Sequence, residues 1–114
     1  NYICENILRE NLFDGIHYTD VRNGVIAENF IEKSEVGILT NLCFNCTITG
    51  NVITKCKLSG WTGYSYTRSI SLVNVFNSTI SRNSIKESTY GLYFGQSSNN
   101  AIYENSIESE ITST

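Results

Sequence analysis

The chain has 114 residues, enough for one domain and one continuous core but not for two. Its net charge of -3, with Lys and Arg scattered among acids, gives no basic footprint of the kind a phosphate backbone requires, so nucleic acid is not expected as a partner. No apolar run approaches the roughly 20 residues needed to cross a bilayer, so no membrane contact is expected either.

In chain order, one pattern recurs. Ile3, Asn6 and Leu8 are followed by Asn23-x-x-Ile26-x-x-Asn29-x-Ile31, and the same spacing returns at Asn45, Ile48, Asn51, Ile53, then at Asn77, Ile80, Asn83, Ile85, and at Asn99, Ile102, Asn105, Ile107. After each second Asn comes a small residue and an aliphatic one: Gly15-Ile16, Gly37-Ile38, Ser69-Ile70 and Gly91-Leu92. The period is 22 or 23 residues, stretched to 32 in the third copy. Each copy holds three short runs of alternating apolar residues separated by Asn, Gly and Ser, too short for helices.

Self-similarity at such a period predicts a solenoid whose layers bury their apolar faces against their neighbours. Three strands and three corners per turn predict an all-β parallel β-helix of about five coils. Like residues then stack at the strand spacing of about 4.8 Å. Ile3, Ile26, Ile48, Ile80 and Ile102 form one ladder; Leu8, Ile31, Ile53, Ile85 and Ile107 a second; Ile16, Ile38, Ile70 and Leu92 a third, with Tyr18, Thr40, Leu72 and Phe94 beside it. Stacked Asn6, Asn29, Asn51, Asn83 and Asn105 can pass amide hydrogen bonds from coil to coil. A general preference of Asn for turns does not explain its fixed spacing to Ile.

These repeats resemble the right-handed parallel β-helix superfamily, pectin-lyase-like in fold, and within it the short repeats of NosD-like and related carbohydrate-active proteins. The likeness covers residues 1-114. It implies the fold and leaves the activity open, because lyases, hydrolases, epimerases, phage tailspikes and adhesins share the same repeats. It also implies an extracellular or virion-surface location.

The four cysteines sit in different places within the repeat, so Cys4, Cys43, Cys46 and Cys56 are expected as free, mostly buried thiols; neither a disulfide nor a zinc site is expected. No cofactor is expected. Charges pair up the stack: Arg9 with Glu32, Glu10 with Lys33, Lys55 with Glu87, Lys86 with Glu108. Glu5 and Glu28 form the one adjacent acid pair, a weak candidate for glycoside cleavage, which needs two carboxylates about 5 to 9.5 Å apart. The Asp motifs of the hydrolases, epimerases and lyases that the repeats resemble are missing. Asp14, before Gly15, reads as a turn residue; His17, next to core Ile16, points outward without a companion acid. The sequons at Asn45 and Asn77 fall on the repeat's own Asn and read as by-products of the pattern.

The third copy carries ten extra residues, within a protruding loop over 54-68 that contains Trp61, Tyr64 and Tyr66. Insertions in a solenoid emerge on one face, often the binding face. Polysaccharide contact is therefore expected through Trp61, Tyr64, Tyr66 and Arg68, with Tyr93 one coil on. The alternatives are a structural or assembly solenoid without a small ligand, and a polysaccharide lyase or hydrolase. Uncovered strand edges at both ends predict stacking on further β-helix coils or on other copies of the chain.

Overall fold

The computed structural model describes residues 1-11, 13-56 and 68-109. These fold into a right-handed parallel β-helix, all strands and no helix. The first coil contributes β1 (Tyr2–Cys4), β2 (Ile7–Arg9) and β3 (Asp14–Arg22); the second β4 (Val25–Ala27), β5 (Phe30–Glu32) and β6 (Val36–Phe44). The third has β7 (Thr47–Thr49), β8 (Val52–Thr54) and β9 (Arg68–Phe76), and the fourth β10 (Thr79–Ser81), β11 (Ser84–Ser88) and β12 (Tyr90–Gly95). A fifth begins with β13 (Ala101–Tyr103) and β14 (Ser106–Ser109).

Corresponding strands stack into three parallel sheets, β1-β4-β7-β10-β13, β2-β5-β8-β11-β14 and β3-β6-β9-β12. The register is the one the repeat predicts: Ile3, Ile26, Ile48, Ile80 and Ile102 face one another in the first sheet. In the second, Leu8, Ile31, Ile53, Ile85 and Ile107 do the same. Ile26, Ile31, Ile38, Ile53, Ile70, Ile80 and Ile85 are wholly buried. Full burial of one such side chain contributes about 1.5 to 3 kcal/mol, so the aliphatic ladders are the main source of stability.

The third strand differs from expectation. In three of the coils it is nine residues long, and it bends where Asp20, Leu42 and Asn74 take positive φ of 53 to 58°. The bend turns a second inward row, Val21, Cys43 and Val75, into the core, a row the spacing of the Ile residues did not announce.

Every corner is made the same way, by one left-handed residue per coil. Glu5, Glu28, Gly50, Arg82 and Glu104 form one such column; Glu10, Lys33, Lys55 and Glu87 a second; Asn23, Asn45, Asn77 and Asn99 a third. Left-handed backbone costs a non-Gly residue about 1 to 2 kcal/mol, so each corner is held open against its own preference by the sheets it joins. At Gly50 glycine suits the φ of 66°; a Cβ there would meet only the movable carboxylate of Glu28. Gly37 is required for packing: a Cβ would meet the Ser69 carbonyl at 2.6 Å and Ile53 Cγ2 at 2.7 Å.

The Asn column after the first sheet works as predicted. Asn29 donates from its backbone N to Asn51 Oδ1 at 3.0 Å and from Nδ2 to the same oxygen at 3.0 Å. Asn51 repeats both bonds to Asn83, and Asn83 to Asn105. Each Nδ2 also donates backward, as from Asn51 to the Ile26 carbonyl at 3.0 Å. Asn29, Asn51 and Asn83 are at most 1% exposed, so in these three the column's hydrogen bonds replace those to water.

Candidate functional site

The outward row of the third sheet runs His17, Leu39, Ser71, Tyr93 across β3, β6, β9 and β12. Arg68 opens β9 opposite Val36 and Tyr90, and its side chain crosses to Tyr93, placing the guanidinium carbon 3.5 Å from the ring centroid. Arg68 Nη1 also reaches Ser71 Oγ at 3.5 Å. Ser71 is 2% exposed despite facing outward, and Tyr93 remains 38% exposed. The structure thus brings together two of the residues expected to contact a ligand. Trp61, Tyr64 and Tyr66, and with them most of the 54-68 loop, lie outside the described residues.

The two acids of the candidate pair sit on adjacent coils. Glu5 and Glu28 both occupy the left-handed corner column. The Glu28 carboxylate lies over Gly50, one coil further along and on the side opposite Glu5. The nearest ionic contact in that column is Arg82 Nε to Glu104 Oε2 at 2.9 Å.

His17 does have a companion acid. Asp14 begins β3 rather than a turn, and its Oδ2 stands 3.4 Å from His17 Nδ1, while Thr19 Oγ1 is 3.0 Å from His17 Nε2. Burial raises the Asp14 pKa; His17 pulls it down and Glu35 pushes it up. A carboxylate, an imidazole and a hydroxyl in line can move a proton, but these lie on an exposed strand face, where water competes for each of them. The sequence hid this line because Asp14 and His17 are three apart, a spacing that a regular strand places on opposite faces.

The surface charges largely follow the stack. Arg9 meets Glu32 at 3.8 Å and Lys33 meets Glu10 at 3.6 Å. Lys86 and Glu108 are register partners. Lys55 departs from expectation by reaching Glu32, at 3.8 Å, so that one acid serves two cations. Arginines also cap outward rings, Arg9 over Phe30 and Arg22 over Phe44, the latter stacked on Phe76 at 5.4 Å.

All four cysteines are free thiols and three are buried, but Cys4 is exposed, facing outward in the first sheet. Cys43 and Cys46 occupy different columns of the stack, as expected, but they share one corner. The third-sheet corner turns both Cys43 and Cys46 inward, and burial together with the neighbouring Cys46 pushes the Cys43 thiol up to about 12.

With this geometry in place, the model of the family described as periplasmic copper-binding protein (NosD) matches residues 1–113. The chain belongs to the NosD family. The match and the stacked sheets agree on the same object, a pectin-lyase-like β-helix domain built of short repeats. Comparison with curated proteins and with solved structures gave no match. Within this NosD-family solenoid the residues that could meet a ligand lie on the outer faces, because the interior is filled by the aliphatic ladders.

Proposed function

We propose that this NosD-family domain is a β-helix that contacts polysaccharide outside the cytoplasm, on a cell or virion surface, through the outer face of its third sheet and the aromatic run Trp61, Tyr64 and Tyr66. The observation that supports it is the Arg68–Tyr93 pair, a cation braced on an exposed ring at the start of the strand that follows the insertion. An aromatic ring suits the C–H face of a sugar, and a guanidinium suits the carboxylate of an acidic one. The family's description as periplasmic favours the location.

Titration of the protein with a polyuronate and with a neutral glucan, following Trp61 fluorescence, tests this reading. Tyr93→Ala is expected to weaken binding of both, and Arg68→Gln to weaken the polyuronate alone. Absence of any response to either polymer, with Trp61 inaccessible to a soluble quencher, contradicts it.

The family description also names copper. The described residues do not fit that metal: no three His, Cys, Asp or Glu side chains among them converge, and the chain has no Met and a single His. The two thiols that do converge are buried, and Cys43 is held in its protonated form, against the thiolate a soft metal needs.

A second reading, a purely structural or assembly solenoid, is favoured by the first sheet. Its outward rows in the middle coils are Val25, Thr47, Thr79 and Ala27, Thr49, Ser81, with no charge among them. Replacing Trp61, Tyr64 and Tyr66 with Ala and measuring molecular mass separates the two: a loss of assembly with no change in polysaccharide binding favours the structural role.

A further inference from the structure

The corner that joins the third sheet to the first carries two thiols where its neighbours carry other residues. Cys43 takes the inward position held by Val21 and Val75 in the adjacent coils. Cys46 takes the position of Gly24, one residue before the paired Val25 and Thr47. Cys46 Sγ lies 3.7 Å from the Val21 carbonyl oxygen and 3.5 Å from that of Phe44. Cys43 Sγ lies 3.9 Å from the Asn41 carbonyl oxygen, on the same inward corner.

The preceding coil gauges how tight this corner is. A Cβ built on Gly24 would stand 2.7 Å from Val21 Cγ1, closer than unbonded carbons approach. Side chains at both positions must therefore lie side by side, and in the next coil those side chains are Cys43 and Cys46. Cys4 faces outward, and Cys56 is buried among Ser34, Ser69 and Ser88 at a different corner, so neither competes as a partner.

We propose that Cys43 and Cys46 close an intrachain disulfide across this corner when the chain folds in an oxidising compartment. One thiolate attacks the disulfide of an oxidant, either glutathione disulfide or a protein disulfide oxidase, forming a mixed disulfide. The second thiolate then attacks the chain's own sulfur in that bond and expels the oxidant's thiolate. The two cysteines lose two protons and two electrons, and the oxidant leaves as the reduced dithiol or as two thiols. In the native fold Cys43 and Cys46 are at most 2% exposed and burial disfavours the Cys43 thiolate, so the bond forms while the corner is still open and is afterwards out of reach of reductants. The closed loop is too short to change chain entropy much. Its effect is local, pinning the left-handed Asn45 that starts the coil bearing the insertion.

The test is to refold the full chain with glutathione disulfide, denature it, alkylate and map the thiols by mass spectrometry. Two of the four thiols are expected to resist alkylation, joined as Cys43–Cys46, and the bond should survive reductant in the native state yet yield to it once denatured. Four alkylated thiols, or a link that includes Cys4 or Cys56, overturns the proposal. A Cys43→Val, Cys46→Gly variant restores the residues of the preceding corner and should show no protected thiol; two protected thiols there would overturn it equally.

Discussion

Two corners of each coil face the same problem and meet it differently. At both, the chain turns sharply and leaves a backbone N–H pointing along the stack. After the first sheet the answer is identical in successive coils: the Asn side chain of the next coil accepts, as from Asn29 to Asn51 and from Asn51 to Asn83. After the third sheet it changes from coil to coil. The Cys46 amide donates to Ser78 Oγ at 3.0 Å and the Ser78 amide to Asn100 Oδ1 at 2.9 Å, whereas the Gly24 amide, with Cys46 at the matching position of the next coil, has no hydrogen-bond acceptor among the described residues. The first corner is a closed amide column; the second is the same device with its polar rungs partly replaced. A uniform column fixes the coil spacing, and the irregular one leaves room for chemistry such as the thiol pair.

The sharpest way to break this comparison is to remove one rung from each side. Asn51→Ala strands the buried Asn29 backbone amide, removes one of two bonds from Asn29 Nδ2, which keeps the Ile3 carbonyl, and takes a donor from the Ile26 carbonyl, so it should destabilise by about 2 to 4 kcal/mol, given about 1 to 3 kcal/mol per buried unsatisfied group. Ser78→Ala strands the Cys46 amide alone and should cost about 1 to 2 kcal/mol in the same denaturant titration. Equal losses would mean that the Asn column is not special.

Next in size is Gly37→Ala, which drives a Cβ into the Ser69 carbonyl and Ile53 Cγ2 and should cost about 1 to 3 kcal/mol by thermal melting. A neutral result would show that the coils are not packed as closely as the stacked carbonyls indicate. On the outer face of the second sheet, Glu32→Gln removes both the Arg9 and Lys55 contacts, and a change of no more than about 1 kcal/mol is expected, fading with added salt.

Asp14 gives the smallest effect and a pH signature. Its folded pKa is raised by burial, so the folded state holds its proton more tightly than the unfolded chain, and the unfavourable contribution of the charged form appears as pH rises through the raised value. Asp14→Asn should therefore stabilise slightly at neutral pH, with the gain vanishing below the ordinary carboxylate value of 3.8. A gain that grows on acidification would contradict this sign.

Legibility in the sequence followed uniformity. The Ile ladders and the Asn column repeat one residue type at one spacing, so their stacking could be read before any coordinates. The row Val21, Cys43, Val75 and the column Gly24, Cys46, Ser78, Asn100 do the same structural work with unlike residues, so no spacing rule exposed them. The convergence of Cys43 and Cys46 was hidden for the same reason: it depends on a bend at Leu42 and a left-handed Asn45 that composition does not mark. The Arg68–Tyr93 pair was legible because the insertion drew attention to it; the line through Asp14, His17 and Thr19 was missed because its acid lies at an odd spacing from its base.

The central claim, that the amide column rather than the opposite corner fixes the coils, is tested most directly by native-state hydrogen exchange of individual backbone amides. The account predicts that the Asn29, Asn51 and Asn83 amides exchange only through global unfolding, while the Gly24 amide exchanges through a local opening of much lower free energy. If the Gly24 amide is as slow as the three Asn amides, or if Asn51 exchanges by local opening, the two corners are equivalent and the claim fails.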